Sequence, residues 1–120
     1  MRDYAEAVRN FSFEALERQT ISGSLKDGLN AAVECCDRWA NDGKVALEWY
    51  GATGERKTVT FEQMRDDSAR FANYLKAQGI GAGDTVAGLL PRVPALFTVV
   101  LGTWRAGAIY QPLFTAFGRA

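Results

Sequence analysis

The chain has 120 residues, is 48% hydrophobic and 23% charged, and carries fourteen basic residues against fourteen acidic ones. That length permits one core and that composition lies far from disorder. The balanced charge offers no net field to a nucleic-acid backbone or an anionic membrane, so neither partner is expected. There is no histidine, which removes the usual triad base, the commonest zinc ligand and the side chain that titrates near neutrality.

Residues 1–24 alternate charge with scattered apolar positions (Tyr4, Val8, Phe11, Phe13, Leu16) and end in ISGS. The pattern predicts an arm with one or two short helices and a flexible joint at Ser22–Ser24. From Leu25 to Trp39 the residues Leu25, Leu29, Ala32, Val33, Cys36 and Trp39 recur at helical spacing, and NDG at 41–43 supplies a turn. One amphipathic helix is expected there. Adjacent Cys35 and Cys36 suit neither a disulfide framework nor a C-x-x-C redox site, and are read as reduced thiols of a cytoplasmic protein that are merely packed or idle. KVALEWYG and TVTF flank the Gly-containing turn ATGERK and predict a β-hairpin. Thr60 and Gln63 hold the capping-box positions of the next helix, whose buried stripe is read as Phe61, Met64, Phe71 and Leu75.

Gly79 ends that helix, and GAGD leads into TVAGLL, read as a strand. Pro94 suits the first turn of a helix running to about Ala106, and AIYQPL is the last strand. From Thr58 onward the order is strand, helix, strand, helix, strand. The fold class is therefore α/β: a β-hairpin followed by βαβαβ, with a partial parallel or mixed sheet. The run from Val93 to Trp104 is too short for a membrane span. Its helix is apolar nearly all round, so Trp104 is expected to be buried, and Trp39 and Trp49 are likewise read as core.

Several motifs suggest chemistry and fail on context. GIGAGD at 79–84 leaves a helix and enters a strand, the reverse of a dinucleotide fingerprint. GATGERKT at 51–58 lacks the P-loop spacing and opens no helix. SGS at 22–24 could seed a phosphate cradle but has no preceding strand. Asp66 and Asp67 point about 100° apart on a helix and cannot serve one substrate atom together. No catalytic constellation and no metal site emerge from the residues.

The blocks NAAVECCDRWA, VALEWYGATGERKTVTFEQM and ARFANYLKAQGIGAGDTVAGLLPRVPALFTVVLGTWRAGAIYQPLFTAFG, in that order, carry a family likeness. Over about residues 25 to 118 the chain resembles the amino-terminal segment of AMP-forming acyl-CoA synthetases, close to the acetyl-CoA synthetase branch of the adenylate-forming superfamily. The resemblance divides the chain into the arm 1–24 and an incomplete α/β subdomain, 25–120. It implies a ligase that joins an acid to ATP as an acyl-adenylate, releasing diphosphate, and then transfers the acyl group to the thiol of CoA, releasing AMP. ATP, Mg and CoA are implied for the full-length family, and none for this segment alone. The family's phosphate loop, its adenine- and ribose-holding residues and its catalytic lysine lie downstream of these blocks.

One stretch can be carried over. Residues 114–118, FTAFG, correspond to F-G-G-F-S of acetyl-CoA synthetases, which makes Thr115, Ala116 and Phe117 a CoA-proximal loop. Thr115 and Ala116 stand where that pattern has two glycines, so an ordinary strand-to-loop exit stays open as the alternative. Three functions follow: an amino-terminal piece of an acid–CoA ligase, inactive alone; a standalone interaction protein or the trans-complementing half of a split ligase; and a small nucleotide-binding α/β module, against which the missing phosphate-loop chemistry counts. A sheet ending at AIYQPL exposes an edge, so self-association through that strand or the helix from Pro94 is expected.

Overall fold

The computed structural model describes residues 3–116. Two short helices, α1 (Tyr4–Arg9) and α2 (Phe13–Thr20), open the chain as expected; Asp3 caps the first and Ser12 the second through side-chain oxygens that accept amide protons. Neither helix contains a buried residue. Phe11 and Phe13 meet edge to face, with ring centroids 4.9 Å apart.

The single helix expected from Leu25 to Trp39 is not formed. Ser24 Oγ accepts the amides of Lys26 and Asp27, and Asn30 caps a later start by accepting from Ala32 N at 3.0 Å. These local bonds hold residues 24–28 in a turn. What remains is α3 (Ala31–Cys35) followed by one 3-10 turn, Asp37–Trp39. Leu25 and Leu29 are consequently exposed, while Ala32 and Cys36 reach the core.

The hairpin forms as expected, with β1 (Val45–Tyr50) antiparallel to β2 (Arg56–Thr60) and a register irregularity between Val45 and Leu47. Thr60 then starts α4 (Phe61–Ala77) with the full capping box: its hydroxyl accepts from Gln63 N, and its own amide donates to Gln63 Oε1. Gly79 adopts φ +79° and closes α4 in a Schellman arrangement, Ile80 N donating to the Leu75 carbonyl and Gly79 N to that of Lys76. The buried stripe differs from the expected one. It consists of Met64, Ser68, Ala72 and Leu75, with Phe61 and Phe71 half-buried, because small Ser68 lies where the later helix α5 (Ala95–Arg105) packs closely against α4. At Gly102 of α5 a Cβ would sit 2.7 Å from the Phe71 ring and 2.9 Å from the Ser68 carbonyl oxygen.

The last elements are β3 (Thr85–Gly88), α5 (Ala95–Arg105) and β4 (Ile109–Pro112). β3 and β4 run parallel with Thr85 opposite Ile109, giving one βαβ unit. The α/β class and the hairpin are therefore as read, but β2 and β3 do not pair. Hairpin and parallel pair are separate two-stranded sheets, because hydrophobic runs mark strands without marking their partners. Both strands of the parallel pair are shorter than TVAGLL and AIYQPL suggest, and Leu89, Ile109 and Leu113 are exposed.

The core gathers Ala32, Cys36, Val59, Met64 and Leu101, flanked by Ala46, Leu47 and Phe61. The tryptophans are not its centre. Trp39 and Trp104 are exposed and Trp49 is half-buried. Trp39 instead lies under Lys44 Nζ, 4.5 Å from the ring centroid, and donates its indole N–H to the Glu34 carbonyl. Among the described residues, no helix is long and apolar enough to cross a membrane.

Candidate functional site

Parallel strands end on the same side, and the loops that follow them frame a crevice where α/β proteins commonly hold ligands. Here the loop after β3 (residues 89–93) and the loop after β4 (residues 113–116) enclose a cavity of about 600 Å³, lined in part by Gly88, Arg92, Leu96, Tyr110, Thr115 and Ala116. The walls are tied together: Leu113 N donates to the Gly88 carbonyl at 3.0 Å, and Trp49 Nε1 donates to the Arg92 carbonyl at 2.7 Å. Tyr110 packs over Gly88, where any Cβ would collide with its ring. The Tyr110 hydroxyl oxygen is buried there without a hydrogen-bond partner among the described residues. Of the three loop residues singled out from sequence, Thr115 and Ala116 line this cavity and Phe117 lies outside the described residues. Tyr110, Leu96 and Pro112 also border a second, mainly apolar cavity of about 450 Å³ between the hairpin and α5.

Sequence reasoning missed two charged clusters beside the core. Arg105, at the end of α5, grips Asp37 with two hydrogen bonds of 2.7 and 2.5 Å and also donates to Ser68 Oγ at 3.2 Å. This ties the 3-10 turn to both long helices. The hydrogen bonds to Asp37 raise the Arg105 pKa further. The one available signal was a lone arginine closing an otherwise apolar helix.

The second cluster corrects the flexible joint at 22–24. Ser22 N, Ser22 Oγ and Gly23 N all donate to the Glu34 carboxylate, with the hydroxyl at 2.7 Å. Arg38 pairs with the same carboxylate at 2.9 Å and donates to the Thr20 carbonyl. SGS does cradle an anion, and the anion is the chain's own.

Asp66 and Asp67 are exposed as expected and paired with Arg65 and Arg70. The Cys36 thiol is buried and donates to the Phe61 carbonyl; desolvation, then the charge of Asp37, push its pKa up to about 11. It is inert at neutral pH. Of the two thiols read as packed or idle, Cys36 is packed and Cys35 is exposed. No group of His, Cys, Asp or Glu that could hold a metal ion is present among the described residues.

Residues 35–120 match the family model for AMP-binding enzymes. The chain belongs to the AMP-binding enzyme family. It is similar to the acetyl-coenzyme A synthetase of Sodalis glossinidius, 35% identical over 127 residues that cover 97% of this chain and 20% of the relative. To the Bacillus subtilis acetyl-coenzyme A synthetase it is 38% identical over 122 residues, covering 98% of this chain and 21% of the relative. The crystal structure of a Brucella canis acyl-CoA synthetase superposes with a TM-score of 0.89 at 48% identity, covering 98% of this chain and 22% of that one. This member of the AMP-binding family thus spans about a fifth of the length of the relatives it matches. Its hairpin and small parallel sheet correspond to the amino-terminal part of an acyl-CoA synthetase fold.

The family match includes the crevice and the Asp37–Arg105 clamp, whereas the Ser22–Gly23 cradle and Glu34 precede it. The Ser22 hydroxyl, then the Ser22 amide, with further help from Gly23 N and Arg38, hold the Glu34 carboxyl down to about 2. A folded-state pKa below the unfolded value of about 4.3 contributes stability above that value, and loses it as pH falls toward 2. Glu34→Gln is therefore expected to release residues 20–24 at neutral pH, seen as faster amide hydrogen exchange at Ser22 and Gly23. Wild-type protein should reach the same state only on acidification. Equal exchange in both proteins at pH 7 would show that the carboxylate charge does not hold the cradle.

Proposed function

We propose that this chain supplies the amino-terminal portion of an AMP-forming acid–CoA ligase, working in the cytoplasm, and that it does not activate acids by itself. The observation that carries this is the AMP-binding family match across residues 35–120 in a chain that spans about a fifth of acetyl-coenzyme A synthetases. In the complete ligase an acid and ATP with Mg form an acyl-adenylate and diphosphate, and CoA thiolate then takes the acyl group and releases AMP. This segment would act as scaffold and as one wall of the CoA approach. Support for the wall comes from the crevice, a largely apolar channel bordered by Leu96, Tyr110 and Thr115 that suits a long flexible thiol arm. CoA when bound supplies the nucleophilic thiol, and the residues here would orient the arm and exclude water.

Purified chain is expected to give no acid-dependent exchange between pyrophosphate and ATP. Exchange that persists after rigorous removal of any full-length ligase would overturn inactivity. Exposed Phe97, Trp104 and Ile109 favour self-association through α5 or the β4 edge, and sedimentation equilibrium across a hundredfold range of concentration distinguishes this from a monomer. Co-expression with the remaining length of a ligase tests the split-enzyme reading: activity restored in trans would favour it.

A further inference from the structure

We propose that Arg92 makes the crevice at the ends of β3 and β4 an oxyanion subsite, with the Tyr110 and Thr115 hydroxyls beside it. Three observations converge. Beyond the arm, Arg38, Arg56, Arg65, Arg70 and Arg105 each have a carboxylate partner, and among the described residues Arg92 has none. Among the described residues, none that lines this cavity with Arg92 is acidic, so no described carboxylate on its walls offsets the Arg92 charge. The Tyr110 hydroxyl oxygen on the same wall is buried without a partner among the described residues, and leaving such a group unpaired is costly unless a ligand completes it.

The position of Arg92 is constrained before any ligand arrives. Its carbonyl is held by Trp49 Nε1, it stands between Pro91 and Val93, and Val93 N donates back to the Pro91 carbonyl at 2.8 Å. The backbone is thus ordered in advance, which reduces the entropic cost of fixing a planar fork against an oxyanion. A volume of about 600 Å³ is ordinary for an organic ligand, with room for an apolar portion along Leu96 beside the charged end. The ligand class is a flexible organic molecule ending in a phosphate ester or a carboxylate. This assignment rests on the reading of the crevice as the CoA approach, under which Arg92 meets a phosphate of the nucleotide end.

The test is an NMR titration of the full chain, wild type, Arg92→Ala and Arg92→Lys, with CoA, pantetheine, inorganic pyrophosphate and acetate at fixed ionic strength. CoA is expected to bind at least tenfold more tightly than pantetheine, which has the thiol arm without phosphates. Arg92→Ala should abolish most of that ratio while leaving pantetheine affinity unchanged, and Arg92→Lys should keep part of it. Amide spectra confirm that both variants are folded. Equal binding of CoA and pantetheine, or a ratio unchanged in Arg92→Ala, overturns the subsite and leaves the CoA reading standing. Pyrophosphate that shifts the Arg92 side-chain N–H in wild type, with CoA and pantetheine both silent, supports the subsite and removes the CoA reading. An acetate response matching that of pyrophosphate also supports the subsite, and assigns it to a carboxylate. Silence from all four probes overturns both.

Discussion

Asp37→Ala is expected to cost this chain about 3 kcal/mol, a large share of the 5–15 kcal/mol typical of a folded domain. The carboxylate accepts two hydrogen bonds from Arg105, and the two side chains are only 22% and 19% exposed. Removing one partner leaves the other charge partly desolvated. Breaking a fully buried pair costs about 3–5 kcal/mol, and the remaining exposure places this one toward the low end. Arg105 tolerates the loss poorly, because among the described residues its Nε is already buried with no partner and the one hydrogen bond left to its side chain is to Ser68 Oγ. The exposed Arg65–Asp66 pair is the control: Asp66→Ala should leave a urea midpoint nearly unchanged. A double-mutant cycle decides the matter. Strongly sub-additive losses for Asp37→Ala and Arg105→Ala are expected, and simple additivity would show that the clamp is not a coupled unit.

Leu101→Ala should cost about 3 kcal/mol, and Trp104→Ala, three residues along the same helix, only about 1–2 kcal/mol. Leu101 is 5% exposed among Ala32, Cys36, Val59 and Met64, so truncation empties space that the surrounding elements cannot collapse to fill. Trp104 is 36% exposed, and the hydrogen bond at this position runs from Asn30 Nδ2 to its main-chain carbonyl, which alanine retains. Size alone would rank the two substitutions the other way. Urea unfolding of both variants at low protein concentration provides the comparison. A greater loss for Trp104→Ala would mean that its face of α5 is covered in solution, as self-association through that helix would require.

The features that could be read from the chain are those whose bonds close within a few residues. Thr60 and Gln63 satisfy each other across one turn, Gly79 returns two amides to the last turn of α4, and Pro94 precedes α5 whatever surrounds it. The alternation in VALEWY needed only its hairpin neighbour. The same local chemistry explains the clearest miss in the helical pattern. Apolar spacing from Leu25 to Trp39 signalled one helix, but the Ser24 hydroxyl and the Asn30 side chain offered nearer partners to the backbone, and these local bonds held the first part in a turn.

The candidate site divides along the same line. Family likeness pointed to Thr115, Ala116 and Phe117, and the fold brings Thr115 and Ala116 to a crevice also lined by Arg92 and Tyr110. No spacing rule joins Arg92 to Thr115, because the crossover through α5 separates their loops and only parallel pairing of β3 with β4 returns the chain to the same end. Asp37 and Arg105 are still more remote, 68 residues apart. Their pairing depends on how α3, α4 and α5 pack, since a charge acquires its partner from the surroundings into which the core carries it. Sequence by itself therefore determined the caps, turns, hairpin and α/β class, where each backbone group is satisfied by near neighbours. Tertiary structure alone decided which strands pair, which tryptophans stay exposed, and which charges meet, because those outcomes minimise desolvation over contacts that no local segment contains.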